Sequence, residues 1–237
     1  MQTLIKPSLY KGVFIASTVI SLWLIAIVLG MNFNINFLSP WVYVFVLLQM
    51  HLYTGLFITA HDAMHGIVMP HKPKINFIIG QLCTALYAVF PFKKLKTKHF
   101  EHHNFVHTAQ DPDYYQGNFF AWYFSFIRQY ISWWQILIMA ILFNILKIYI
   151  PQQNLLLFWV LPSLLSTLQL FYFGTYLPHK GHHSNIYQST SQAKNHFVAF
   201  FTCYFFGYHY EHHHSPATPW WLLWKIKEQH LHTNTKP

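Results

Sequence analysis

Acidic residues and cysteines are scarce in this chain. Six Asp and Glu stand against 15 Lys and Arg in 237 residues, and charged residues of both signs make up only 9%. Acids this sparse leave no carboxylate cluster of the kind calcium or magnesium requires. The two cysteines, Cys83 and Cys203, each sit alone in an apolar stretch. They offer neither a disulfide framework nor a haem-attachment motif, and both read as packing residues. A soluble second domain, a flexible linker, a low-complexity tract and a basic-aromatic nucleic-acid module are also missing. Residues 1–237 therefore read as one domain with no nucleic-acid partner.

What is abundant is apolar surface: 54% of residues are hydrophobic and 20% aromatic, too many for an ordinary soluble domain. The pattern predicts an all-α integral membrane protein with about four transmembrane helices, interfacial helices and a His-rich cap. The first run, Val13 to Met31, is long enough to span and lacks a small-residue cleavage site, so it is expected to be retained. Trp41 to Ala60 is the second. Leu137 to Ile150, extended back through Ile131, is the third, and Leu155 to Leu177, interrupted by Pro162, is the fourth. Pro151 to Asn154 is their expected connection, which makes the pair a hairpin. Ile75 to Phe92 has lysines at both ends, so both ends want the same side; it and Phe197 to Tyr208 read as re-entrant or interfacial.

With four spans, Lys6, Lys11, the lysines from 72 to 98, Arg128, Lys180, Lys194, Lys225, Lys227 and Lys236 fall on one side, and only Lys147 does not. The positive-inside rule makes that side the cytoplasm and puts both termini there. The basic excess is then a matter of topology and anionic lipid. The dense run Lys93, Lys94, Lys96, Lys98 reads as a headgroup contact or, more sharply, as a dock for an acidic electron donor.

On the same side lie three histidine groups: His61 and His65; His99, His102 and His103; His209, His212 and His213. Helical residues three or four apart share a face and can close on one ion. Imidazoles at this density suit iron, zinc or copper, and eight are too many for one ion but enough for two with open positions. Two neighbouring irons could activate O2 against an unactivated C–H bond of a lipid entering from the bilayer. His179, arriving after the fourth span, is a ninth candidate ligand, and His107 could extend the second group. His182, His183, His196 and His214 read as surface residues or supports of the ligands, His230 and His232 as a solvated tail, and His51 as a buried hydrogen-bonded residue. Asp62, Asp111, Asp113 and Glu211 are candidates to orient ligand imidazoles. Glu101 sits about 200° round the helix from His99, so pairing with a lysine is its alternative. Asp111-Pro-Asp113 reads as a turn folding back on the site. No catalytic side chain beyond the ligands is singled out.

These groups resemble those of the integral-membrane fatty acid hydroxylase and desaturase superfamily. The strings His61-Asp-Ala-Met-His65-Gly66, Asp111-Pro-Asp113, Gln169 to His179, and His212-His213 followed by Pro216 and Pro219-Trp220-Trp221 are similar to those of bacterial carotenoid (β-carotene) 4-ketolases. The resemblance implies a single desaturase-like domain in the bacterial inner membrane, with two non-haem irons, O2 as co-substrate and electrons from a ferredoxin or similar donor. It implies oxidation of C4 of a β-ionone ring by two successive hydroxylations, giving echinenone or canthaxanthin from β-carotene, or keto derivatives of hydroxylated carotenoids such as astaxanthin. Tyr210 departs from the family, whose third group usually reads His-Glu-Glu-His-His. A fatty acid desaturase or hydroxylase would share every ligand. A membrane metal-binding protein without activity would also be His-rich, but transport favours ligands near the bilayer midplane.

Overall fold

A computed structural model describes the backbone of residues 9–234 and the side chains of residues 9–229. Lys6, Lys236 and the side chains of His230 and His232 fall outside the described residues. Helices are the only regular elements among those described. Three are long and apolar enough to cross a membrane: α1 (Lys11–Met31), α2 (Pro40–Met64) and α7 (Gln152–His179). Each forms because an apolar run continues without a competing turn signal, and Pro40 supplies the preset φ of a first helical turn. At 1.5 Å per residue, α2 and α7 extend about 37 and 42 Å.

Large apolar side chains remain uncovered on the outward faces of these helices, among them Phe14, Ile25, Trp41, Leu47 and Leu164. Water would penalise such faces, whereas lipid covers them. The arrangement is that of an integral membrane protein. α2 changes character along its length: Trp41 to Leu48 is largely outward, while Leu52 to Met64 is almost wholly buried between α1, α3 (Pro73–Ala88) and α7. Its buried end carries His61.

The expected interruption at Pro162 is not a break. A proline removes an amide hydrogen bond and crowds the preceding turn. Here α7 widens into a π turn just ahead of each of its inner prolines, Leu156–Val160 before Pro162 and Tyr172–Tyr176 before Pro178. The helix therefore runs through to His179.

Two expectations need correction. α6 (Trp133–Leu146) has 14 residues, about 21 Å, short of the ~30 Å hydrocarbon core. It crosses only if counted with α5 (Phe119–Tyr130), from which it bends by 86°. The chain thus has three candidate spans, or up to five if each bent pair counts as one, a range that holds the expected number of about four although the third span is not a single helix. The connection from α6 to α7 is also shifted: turns occupy residues 147–150, Pro151 caps α7, and Gln152 to Asn154 are already helical. Asn154 donates to the carbonyls of Gly30 and Phe33, both at 2.8 Å, which draws this end of α7 against the end of α1.

The segment expected to be re-entrant is a bent pair. α3 ends at Ala88, Val89 takes a left-handed φ of 57°, and α4 (Phe92–Phe105) leaves at 101°. A β-branched residue pays for that conformation in strain; two backbone bonds, Val89 N–H to Ala85 O and Phe90 N–H to Thr84 O, hold it. The Lys94 ammonium donates to the carbonyls of Tyr130 (2.9 Å) and Ile131 (3.4 Å) and to Ser132 Oγ (3.1 Å). It satisfies carbonyls that the end of α5 leaves open. Lys98 pairs with Glu101 at 2.8 Å, as the helical angle suggested. Of the basic run, only Lys93 and Lys96 are exposed. The remaining helices are short: α8 (His196–Cys203), α9 (His209–His214) and α10 (Leu223–Asn234). Cys83 and Cys203 are buried and free.

Candidate metal centre

The eight histidines singled out by spacing and His179, singled out by its place after a span, converge from four elements: the end of α2, α4, the end of α7, and α9. His61, His65, His99, His103 and His212 form one group, and His102, His179, His209 and His213 another, with the nitrogens of each group within 4.8 Å of one another. In the first, Nε2 of His212 lies 3.2 Å from that of His61 and 3.0 Å from that of His103, and His65 faces His99 at 2.7 Å. In the second, Nε2 of His213 lies 3.1 Å from that of His102 and 3.0 Å from that of His209.

The assignment differs from the simple expectation that each sequence group closes on one ion. His99 and His103 join the five-residue group while His102 joins the other; His209 and His213 join the four-residue group while His212 crosses over. α4 and α9 therefore each serve both groups, whereas α2 serves only the five-residue group and α7 only the four-residue group.

This geometry fits metal ions on the chemistry of the donors. A neutral imidazole carries one N–H, so His213 Nε2 cannot satisfy two facing nitrogens by hydrogen bonding, and the surplus lone pairs repel unless a cation takes them. His179 makes the same point. Its Nδ1 donates to Gln188 O at 2.9 Å, which leaves Nε2 as a buried acceptor without a partner. Burial, reinforced by the neighbouring imidazoles, holds His209, His212 and His213 well below the ordinary imidazole range. They are neutral rings, the form that binds metal.

Surrounding groups orient the rings unequally. Asp111 Oδ1 accepts from His102 Nδ1 at 2.9 Å and from Asp113 N–H at 2.9 Å, while its other oxygen accepts from His107 N–H at 3.0 Å. The Asp111-Pro-Asp113 turn thus folds back on the site. Asp113 Oδ2 is 4.0 Å from His102 Nδ1, its Oδ1 accepts from the Tyr130 hydroxyl, and burial pushes its carboxyl up to about 6. Asp62 Oδ2 accepts from Trp220 N–H at 3.1 Å, tying the Pro219-Trp220-Trp221 segment to α2, and Oδ1 is 3.6 Å from His61 Nδ1. Glu211 is turned elsewhere: it takes Ser191 Oγ at 2.5 Å and Lys227 Nζ at 3.2 Å, so its buried charge is compensated by an ammonium and not by a ligand ring.

Other histidines settle as follows. His107 is in neither group; its Nε2 donates to His179 O at 2.7 Å and its ring stacks on Tyr114. His196 bonds Tyr208 and Glu228. His51 has no hydrogen-bond partner, contrary to expectation, and instead stacks on Tyr204 with centroids 4.3 Å apart. His182 is exposed and His183 half-buried.

Both groups border one cavity of about 570 Å³, walled mostly by apolar residues of α5, α6 and α7 and reached by His61, His99, His102 and His209. That volume lies within the range of small-molecule sites. Tyr130 and Phe206, neither flagged by the sequence, also line it, as does Thr175 of the Gln169 to His179 string. Phe206 packs on His61 and His209 at 4.8 and 5.2 Å, and only glycine fits at 174, where a Cβ would lie 2.6 Å from the Phe206 ring. Asn118, which caps α5 by accepting from Ala121 N–H, was the one available signal for the wall that carries Tyr130.

An all-helical membrane frame closing two imidazole groups beneath an apolar cavity defines a class, and sequence comparison agrees with it. The fatty acid desaturase family model matches residues 38–154 and 116–236, and the chain belongs to that family. Curated relatives that it matches include carotenoid ketolases. It is 42% identical over 195 residues to a β-carotene ketolase of Haematococcus lacustris, covering 76% of this chain and 60% of the relative. It is 41% identical over 177 residues to the β-carotene ketolase of Paracoccus sp. (strain N81106 / MBIC 01143), covering 73% of each. Against a zeaxanthin 4-ketolase of Chlamydomonas reinhardtii it is 38% identical over 242 residues, 92% of this chain and 53% of the relative. The chain thus spans 60% of the length of the Haematococcus relative. No solved structure matches it.

Proposed function

We propose that this chain is a carotenoid 4-ketolase, oxidising the C4 methylene of a β-ionone ring to a ketone. The observation that carries the reading is the apolar cavity ending on both imidazole groups, supported by the ketolase relatives at 37–42% identity. Nine ligands are proposed for two irons: His61, His65, His99, His103 and His212 for one, His102, His179, His209 and His213 for the other. Bound non-haem iron would supply O2 activation. Each hydroxylation inserts one oxygen atom of O2 into a C–H bond, and the other atom leaves as water with two electrons and two protons from a donor. Two insertions at one carbon give a geminal diol, which loses water to the ketone.

The chain's own residues do the rest. The walls of α5, α6 and α7 receive a polyene from the bilayer and exclude water, and Asp111 and the Gln188 carbonyl fix the rings of His102 and His179. A ferredoxin-type donor, and a cytoplasmic position for the histidines and both termini, belong to the same reading; α4 itself carries the basic run beside its histidines.

The test is pigment extracted from bacteria that make β-carotene and express this chain. Keto carotenoids with a red-shifted spectrum are expected. Unchanged pigment with altered fatty acids would replace the ketolase by a lipid desaturase or hydroxylase, and pigment and lipids both unchanged would leave metal binding alone.

A further inference from the structure

An alcohol formed in the first oxidation must stay in a largely apolar cavity for the second. An unpaired hydroxyl favours escape to a polar surface. Most polar groups on the wall are already engaged with one another. Tyr87 Oη meets Ser163 O at 3.1 Å and Thr167 Oγ1 at 2.9 Å, Thr167 donates to Ser163 O at 2.9 Å, and Gln135 Nε2 donates to Ala88 O at 2.6 Å, which leaves Gln135 Oε1 as an acceptor without a partner.

Tyr130 is set apart from these acceptors by its tie, through Asp113, to the imidazoles. Its hydroxyl gives its single proton to Asp113, the carboxylate beside His102, and so keeps lone pairs that accept but has nothing left to donate. It is also fixed at both ends: Lys94 Nζ holds its carbonyl, and Asp113 is pinned by its N–H to Asp111 and by Trp122 Nε1 donating to its carbonyl at 2.6 Å. Tyr130, Asp113 and His102 all border the cavity. A phenol oxygen held by a carboxylate 4.0 Å from a histidine of the four-residue group is the wall acceptor tied to the imidazoles.

We propose that Tyr130, held by Asp113, accepts the hydrogen bond of the alcohol intermediate and retains it for the second oxidation. No bond to carbon forms or breaks at Tyr130; the alcohol O–H donates to Tyr130 Oη. This inference rests on the ketolase reading.

Two measurements test it. In bacteria making β-carotene, Tyr130→Phe should raise the ratio of 4-alcohol to ketone about threefold to tenfold, the worth of one neutral hydrogen bond, with iron content as in the unaltered protein. In detergent, with iron removed, the same change should weaken binding of a 4-hydroxy carotenoid by a similar factor and leave β-carotene binding unchanged. Should the variant fail to accumulate, the unaltered iron-free protein still decides: it should bind the 4-hydroxy carotenoid at least as tightly as β-carotene, and about tenfold weaker binding overturns the proposal. An unchanged product ratio with unchanged binding in Tyr130→Phe, or the whole effect appearing in Thr175→Val instead, overturns the role of Tyr130 while the ketolase reading stands. Unaltered protein that makes neither ketone nor alcohol overturns both.

Discussion

The two imidazole groups share α4 and α9, one adding the end of α2 and the other the end of α7, and they are held differently. All members of the four-residue group are buried, and two of its rings are oriented by an acceptor, Asp111 for His102 and the Gln188 carbonyl for His179. In the five-residue group His65 and His103 are half-buried, and the nearest carboxylate to His61 stands off at 3.6 Å because Trp220 N–H has engaged it. The number of imidazoles and the support given to their rings are thus distributed in opposite senses. The larger group has more nitrogens and the smaller has the firmer frame. Since α4 and α9 each contribute to both, with the rings of His103 and His213 only 4.3 Å apart, neither group can be assembled without the other's helices.

The strongest way to break this comparison is to remove a nitrogen from the braced group. His102→Ala should cost at least about a hundredfold in turnover, more than the loss of a supporting residue usually does, and metal analysis should find about one iron in place of two. Retention of both irons would take His102 out of the ligand set. Next in size is the brace itself: Asp111→Asn should lower metal affinity about tenfold to a hundredfold, read by chelator competition. The same competition on Asp62→Asn should show a clearly smaller change, because Asp62 serves Trp220 first. Equal effects would erase the difference between the groups.

Glu211 sharpens the comparison from the other side. Glu211→Gln keeps an acceptor for Ser191 but loses the charge facing Lys227, so it should destabilise the folded protein by about 1–2 kcal/mol with iron content unchanged. Thermal melting in detergent and metal analysis separate the two readouts. The smallest expected effect is His107→Ala, about 1 kcal/mol, since it removes one hydrogen bond to the carbonyl of His179 and leaves the bond from His179 Nδ1 to Gln188.

Eight of the nine converging histidines were legible because helical spacing is local, three or four residues apart being enough to place two rings on one face; His179 was legible only by its place at the end of a span. What spacing could not give is the partition. His102 and His212 each sit one residue before a histidine of the other group, and only the approach of α4 to α9 decides which way each ring turns. Pro162 was legible as an irregularity but not as a π turn, whose extra residue per turn leaves no compositional mark. The third span was overextended because Ile131 to Ile150 is predominantly apolar, yet Lys94, 37 residues before Ile131 in the chain, fixes a sharp bend there by taking the α5 carbonyls. Glu211 was misplaced for a related reason: it is adjacent to ligands in sequence, and its compensating cation, Lys227, comes from α10.

The paired π turns of α7 make the helix a phase-setting shaft. An α-helix advances about 100° per residue, so the additional residue accommodated in Tyr172–Tyr176 rotates everything beyond it by about that angle relative to an unbroken helix. His179 lies just downstream, three residues past the turn. Deleting one residue anywhere in Tyr172–Tyr176 would leave composition, hydropathy and length almost untouched while swinging that imidazole roughly a quarter turn away from His102, His209 and His213. In this chain the angular position of a ligand is stored upstream, as a count of residues and not as a choice among them.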